Sequence, residues 1–230
     1  MVDPTIADYM KCADLQMAAE ALYGFNAKLN AAALVPGDGI FKPQAIDSKW
    51  LTDGNLHASK FTTTDAQKFA GEWLVVDHIS NTTTGFSGTL FENNFTHERV
   101  MSIRSTEFLD DAARDNQATN VMELKEYGFA FGQIDDMEAW YQSLKASGKL
   151  PAGQHFSVTG YSLGGHLATA FNLMHKGDLN GGQVFTFNGA GVGQIKSGNA
   201  LQTVLAYFND LRTEPAKLKA TNELHWRIAA

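Results

Sequence analysis

Apolar residues Ile6, Met10, Met17 and Ala21 recur at near-helical spacing behind Asp3-Pro4, a pair suited to an N-cap and first turn. The pattern predicts an amphipathic helix over about 4 to 23. Beyond it the periodicity fades to about residue 60, where Pro36-Gly37-Asp38-Gly39 reads as a turn and Pro43 discourages regular structure. Thr64-Asp65 can cap a short helix reaching about Trp73. Leu74-Val75-Val76 then reads either as a strand or as an apolar extension of that helix.

Residues 85–92 and 98–104 read as two strands around the polar Asn93-Asn94, an antiparallel hairpin. After the aromatic run Tyr127 to Phe131, a helix from about 134 carries Ile134, Met137, Trp140, Tyr141 and Leu144 on one face. Gly148 and Pro151 end it. A β-rich run at 155–159, an Ala- and Leu-dense helix from Leu163 to Met174, a strand at 184–187 and a helix over 200–212 follow. Strands alternating with helices imply an α/β fold, a mostly parallel central sheet with helices on both faces. With 230 residues, one domain over 1–230 is expected.

Between the run at 155–159 and the following helix stands Gly160-Tyr161-Ser162-Leu163-Gly164, a G-x-S-x-G sequence with a further glycine at Gly165. A serine hydroxyl is a weak nucleophile, so it must be held where a base can take its proton and backbone amides can receive an oxyanion. On a sharp strand-to-helix turn the flanking glycines give the clearance, and the helix N-terminus favours the anion. Ser162 is therefore the expected nucleophile and the Leu163 N–H one oxyanion donor.

Composition narrows the alternatives. The net charge of −7, with 18 Lys and Arg scattered along the chain, argues against a nucleic-acid partner. Hydrophobic residues make up 44%, enough for a packed core, yet no run approaches the length of a transmembrane segment and no N-terminal signal peptide is recognised. Cys12 is the single cysteine and reads as a small apolar residue on a helix. The histidines lack metal-ligand spacing, so neither metal nor cofactor is expected.

Several motifs, in order, resemble the class 3 (fungal-type) lipases, and especially bacterial lipases and phospholipases that carry calcium-binding repeats downstream. The resemblance spans roughly residues 85 to 195. Val100 to Thr106 (VMSIRST) is similar to the family strand that ends in a hydroxy residue of the oxyanion hole, which by position implies Thr106; Ser105 stands where the family commonly has glycine. Gly128-Phe129, Gly160 to Gly165, and Phe185 to Gly191 resemble family segments, with Tyr127 replacing a frequent histidine. The resemblance implies an α/β-hydrolase acting on lipid-like esters, with transient contact at a lipid interface.

In that fold the acid and the histidine follow the serine. His166 shares the helix of Ser162 and points along its body, so it reads as structural; His175 suits the helix C-terminus, and Asp178 reads as a solvated loop residue. Asp210 and His225 remain as acid and base. Two readings stay open: either this pair completes the triad, or the C-terminal strands, the true acid and base, any calcium repeats and a C-terminal secretion signal lie beyond Ala230. A second class of function, a hydrolase-like domain that binds without turnover, also stays open.

Overall fold

The computed structural model describes residues 3–21, 43–54, 60–79, 82, 84–105, 128–191 and 206. Helix α1 (Ile6–Ala19) leads to β1 (Gln44–Ala45), α2 (Ser48–Asp53), α3 (Thr63–Glu72) and β2 (Trp73–Ile79). Then come β3 (Gly88–Asn93), β4 (Arg99–Ile103), α4 (Phe131–Ala146), β5 (Phe156–Tyr161), α5 (Leu163–His175), a 3-10 turn at Lys176–Leu179, and β6 (Val184–Phe187). Among the described residues the strands form one six-stranded sheet in chain order, β1 to β6.

That sheet is mixed, which corrects the mostly parallel one expected from the sequence. The β1–β2, β2–β3 and β3–β4 pairs are antiparallel, and β4–β5 and β5–β6 are parallel. For β2–β3 and β3–β4 the reason lies in the short connections. A tight turn closes β3 onto β4, with Asn93 N–H donating to Glu98 O at 2.9 Å, and a short connection of this kind can only reverse the chain. The longer passages through α4 and α5 return it parallel, whereas the passage through α2 and α3, though also long, leaves β1 antiparallel to β2. With helices on both faces, the architecture is an α/β-hydrolase-like fold, and its parallel half carries the G-x-S-x-G turn.

Adjacent strand residues sort onto opposite faces. Val76, Leu90, Met101 and Ile103 join α4 and α5 in one apolar cluster, while Val75, Phe91 and Val100 join α1, α2 and α3 in the other. Leu167 and Phe171 of α5 are fully buried, and at about 25 cal/mol per Å² each stabilises the fold by about 2 kcal/mol.

The N-terminal helix exists as expected but caps and faces differently. Its N-cap is Thr5, in a capping box with Asp8, rather than Asp3-Pro4. Its buried residues are Cys12, Leu15, Ala18 and Ala19, whereas Ile6 and Met10 face outward. Small residues let α1 lie close across the sheet, where polar side chains hold it: Thr159 Oγ1 donates to Cys12 O at 3.2 Å and Ser102 Oγ to Leu15 O at 3.1 Å. Cys12 is buried, as its reading as a small apolar residue required, and burial pushes its thiol pKa up to about 12.

The alternative left open at Leu74-Val75-Val76 falls to strand. Thr62, not Thr64-Asp65, caps α3 by accepting from Asp65 N–H, and the helix stops at Glu72 because Trp73–Ile79 pairs with β3. A register shift between Val75 and Asp77 places a bulge at Val76. The helix expected at 200–212 lies outside the described residues, apart from Ala206.

Candidate active site

Strand β5 delivers the chain to Ser162 and α5 takes it away, so Ser162 is the N-cap of a buried helix. Its backbone stands at φ 51°, ψ −117°, a conformation that a residue with a Cβ adopts only under strain of about 1–3 kcal/mol. Neighbouring backbone enforces it. Ser162 N–H donates to Phe187 O at 3.0 Å, and Ser162 O accepts from His166 N–H at 3.1 Å and from Ala190 N–H at 2.8 Å. The serine is thus locked to the end of β6 as well as to its own helix.

Both motif glycines are required by space. A Cβ on Gly160 would stand 2.2 Å from Gly164 O, and one on Gly164 would stand 2.3 Å from Ile103 O. At Gly165 a Cβ would lie 2.8 Å from Gly189 Cα. The turn therefore packs backbone against backbone with β4 on one side and the chain after β6 on the other. Leu163, Gly164 and Gly165 precede the first intrahelical hydrogen bond, so their N–H groups face out of the positive end of α5. Leu163 is buried and its amide adjoins Ser162.

His166 is a structural residue, as its position suggested. Its Nε2 accepts from Ala130 N–H at 3.2 Å and its ring packs on Phe129 at 5.5 Å between centroids, while a hydrogen bond joins the side chain to the Ala190 backbone. Burial pushes its pKa down to about 4, despite the Ala190 bond, so the ring is neutral at pH 7. It staples the Gly128-Phe129-Ala130 segment and the chain after β6 onto the elbow helix. Gly128, at φ 86°, makes the turn that brings Phe129 there.

His175 and Asp178 are more engaged than a helix-end cation and a solvated loop residue. His175 Nε2 lies 2.5 Å from Glu138 Oε2, and Nδ1 lies 3.2 Å from Asp178 Oδ2. Tyr141 OH donates to Asp178 Oδ2 at 2.8 Å, and burial, first, then the bond to Asp178 push the phenol pKa up. This cluster ties α4 to α5 rather than serving Ser162.

The remaining described histidines also have other partners: His78 is bonded to Thr89, His97 to Glu92 and His155 to Asn180 O. Thr106, Asp210 and His225, the other expected site residues, lie outside the described residues, as does His57. Ser105 is described, and among the described residues the non-glycine ones at positive φ are His97, Ser162, Asn180 and Asn188, so serine sits at position 105 without the strain that would demand glycine. Among the described residues no group of three or more His, Cys, Asp or Glu is placed to hold a metal ion, and no helix is long and apolar enough to cross a membrane.

Sequence reasoning missed Glu20, whose carboxylate accepts from Ser105 N–H at 3.0 Å. It also missed the Ala130 bond to His166. Neither leaves a local signal, since the partners are 85 and 36 residues apart.

No family model matches the sequence, and no curated protein matches it. Among solved structures, the chain is similar to a lipase from Rhizopus microsporus var. chinensis, at 15% identity over 92% of this chain and 65% of that one, with a TM-score of 0.42. A Rhizomucor miehei lipase in complex with its propeptide is similar at 11% identity over 91% and 58%, with a TM-score of 0.43. A lipase from Yarrowia lipolytica is similar at 17% identity over 79% and 59%, with a TM-score of 0.37. The chain spans less than two thirds of the length of each of these three proteins. Similarity this low says nothing of substrate or chemistry, and these fungal proteins lend no support to a relation with bacterial lipases carrying calcium repeats.

Proposed function

We propose that the chain is a serine hydrolase of carboxylic esters, with Ser162 as the nucleophile. The observation that carries this reading is the strained backbone of Ser162, held at φ 51° on a turn whose flanking glycines have no room for a Cβ. A fold tolerates such strain where it presents a reactive group. The rest of the reading follows from chemistry. Ser162 Oγ attacks the acyl carbonyl as a base takes its proton; the carbonyl oxygen becomes an oxyanion facing the Leu163 and Thr106 amides. Collapse expels the alcohol with that proton and leaves an acyl-serine, which water hydrolyses to the acid and free Ser162.

The base assigned is His225, oriented by Asp210. Support comes from elimination: every described histidine is bonded elsewhere, and chain order puts the acid and then the histidine after the serine. The substrate class is lipid-like esters, met by transient contact with a lipid interface, on the order of the motifs from Val100 to Gly191. We read residues 1–230 as one unit, since both apolar clusters share one sheet.

Turnover of p-nitrophenyl esters of graded acyl length tests the reading. Hydrolysis by the wild type that is lost in Ser162→Ala supports it, and rates rising with acyl length support the lipid preference. Equal turnover by the Ser162→Ala variant contradicts it.

The engagement of all described histidines also favours a second reading, a hydrolase-like domain that binds an acyl ligand without turnover. Ligand-induced thermal stabilisation by a non-hydrolysable ester analogue, without hydrolysis of the matching ester, would select it.

A further inference from the structure

The end of β4 forms one wall of the elbow: a Cβ on Gly164 would meet Ile103 O at 2.3 Å and Arg104 O at 2.8 Å. Any shift of Arg104 therefore moves against the first turn of α5, beside Ser162. Two bonds fix this strand end. On the β3 side, Arg104 N–H donates to Ser87 O at 3.1 Å. On the α1 side, Ser105 N–H donates to Glu20 Oε1 at 3.0 Å.

Glu20 is the C-cap of α1 and is only 7% exposed. A carboxylate is costly to desolvate, so burying one at a helix end, where the dipole opposes it, is unfavourable unless hydrogen bonds compensate it. Gln16 Nε2 donates to the same oxygen at 2.8 Å and holds the side chain toward the strand. Helix α1 is itself tied down through Cys12 O and Leu15 O, so Glu20 is presented from a fixed base.

We infer that Glu20 is a positioning residue for the active site, tethering the backbone at Ser105 so that the end of β4 stays seated against Gly164 and the elbow. The inference rests on the reading of Ser162 as nucleophile. It assigns the N-terminal helix a part in the reaction: α1 clamps the strand end that leads toward the expected oxyanion residue. Loss of the carboxylate loosens that wall, which slows acylation and deacylation alike, since both pass through an oxyanion at the same place, without removing a substrate contact, so kcat falls while KM stays.

The test uses the full chain with Glu20→Ala and Glu20→Gln, since the glutamine keeps an acceptor oxygen. Three readouts apply: ester hydrolysis, the rate of Ser162 modification by a fluorophosphonate, and amide exchange across 99–105 and 163–175. For Glu20→Ala the expected result is a fall of about tenfold in kcat and in the modification rate, with KM unchanged. Exchange at Ser105 accelerates while α5 stays protected. Glu20→Gln, the milder change should alanine fail to fold, recovers the rate to within about threefold of wild type. Unchanged exchange at Ser105 and an unchanged modification rate in Glu20→Ala overturn the inference, as does loss of protection throughout α5. A wild type inert to the fluorophosphonate, with exchange at Ser105 still accelerated in Glu20→Ala, overturns the hydrolase reading and leaves the tether standing.

Discussion

Gly164 and Ile103 meet backbone to backbone: a Cβ on the glycine would stand 2.3 Å from the Ile103 carbonyl oxygen. Helix α5 can approach β4 this closely only with glycine there, and the approach sets Ser162 beside the strand end. Gly164→Ala is expected to destabilise the fold by about 3 kcal/mol, because the opposing atoms belong to strand backbone and cannot turn aside. Denaturant unfolding of the variant measures it; a change within the error of the wild type would show that the contact is looser than described.

Strain at Ser162 predicts a trade of stability for reactivity. Ser162→Gly can adopt φ 51° freely, while Ser162→Ala keeps a Cβ and the strain. Both are expected to be inactive, with the glycine variant more stable than the alanine variant by about 1 kcal/mol. Thermal unfolding of the pair checks this, and an alanine variant equal to or above the glycine variant would remove the strain argument.

His166 predicts a pH dependence of stability. Its folded pKa, near 4, lies below the ordinary 6.5, so as pH falls the unfolded chain takes up the proton first. Its contribution is complete above pH 6.5 and is lost as pH falls to about 4, a loss of roughly 3 kcal/mol. His78, pushed down to about 3 by burial and then by Arg104, adds a loss of the same sign. Carboxylates also act in this range, so the difference between wild type and His166→Gln isolates the ring. The variant's stability is expected to vary less between pH 7 and pH 4; parallel profiles would show that His166 does not titrate as described.

Much of the architecture was legible because the relevant signals are local. The strands at Gly88–Asn93, Arg99–Ile103, Phe156–Tyr161 and Val184–Phe187, and the helices Phe131–Ala146 and Leu163–His175, arise from periodicity and turn residues that neighbours in sequence supply. The motif at Gly160 to Gly164 was legible for the same reason. What escaped depends on tertiary partners. Ile6 and Met10 marked an apolar face on α1, but the sheet selects Cys12, Leu15, Ala18 and Ala19 because small residues permit closer packing. The antiparallel pairing of β2, β3 and β4 depends on how short their connections are, that of β1 with β2 on where a long passage docks, and the roles of Glu20 and Ala130 on bonds that join distant segments.

Cys12 offers a check on how α1 sits. Buried under the helix with its pKa pushed up to about 12, the thiol is neutral and shielded at pH 8. Iodoacetamide is expected to leave the folded protein unmodified and to label Cys12 once denaturant is added. Rapid labelling of the folded protein would mean that α1 is not docked on the sheet, and with it the tether from Glu20 would fail.

The most direct test of the central claim is reaction of the full chain with a fluorophosphonate, mapped by mass spectrometry, beside the Ser162→Ala variant. A nucleophilic serine with a base at hand predicts a single adduct, on Ser162, absent from the variant. A folded wild type that forms no adduct, or one that forms it elsewhere and equally in the variant, would contradict the assignment of Ser162 as the nucleophile.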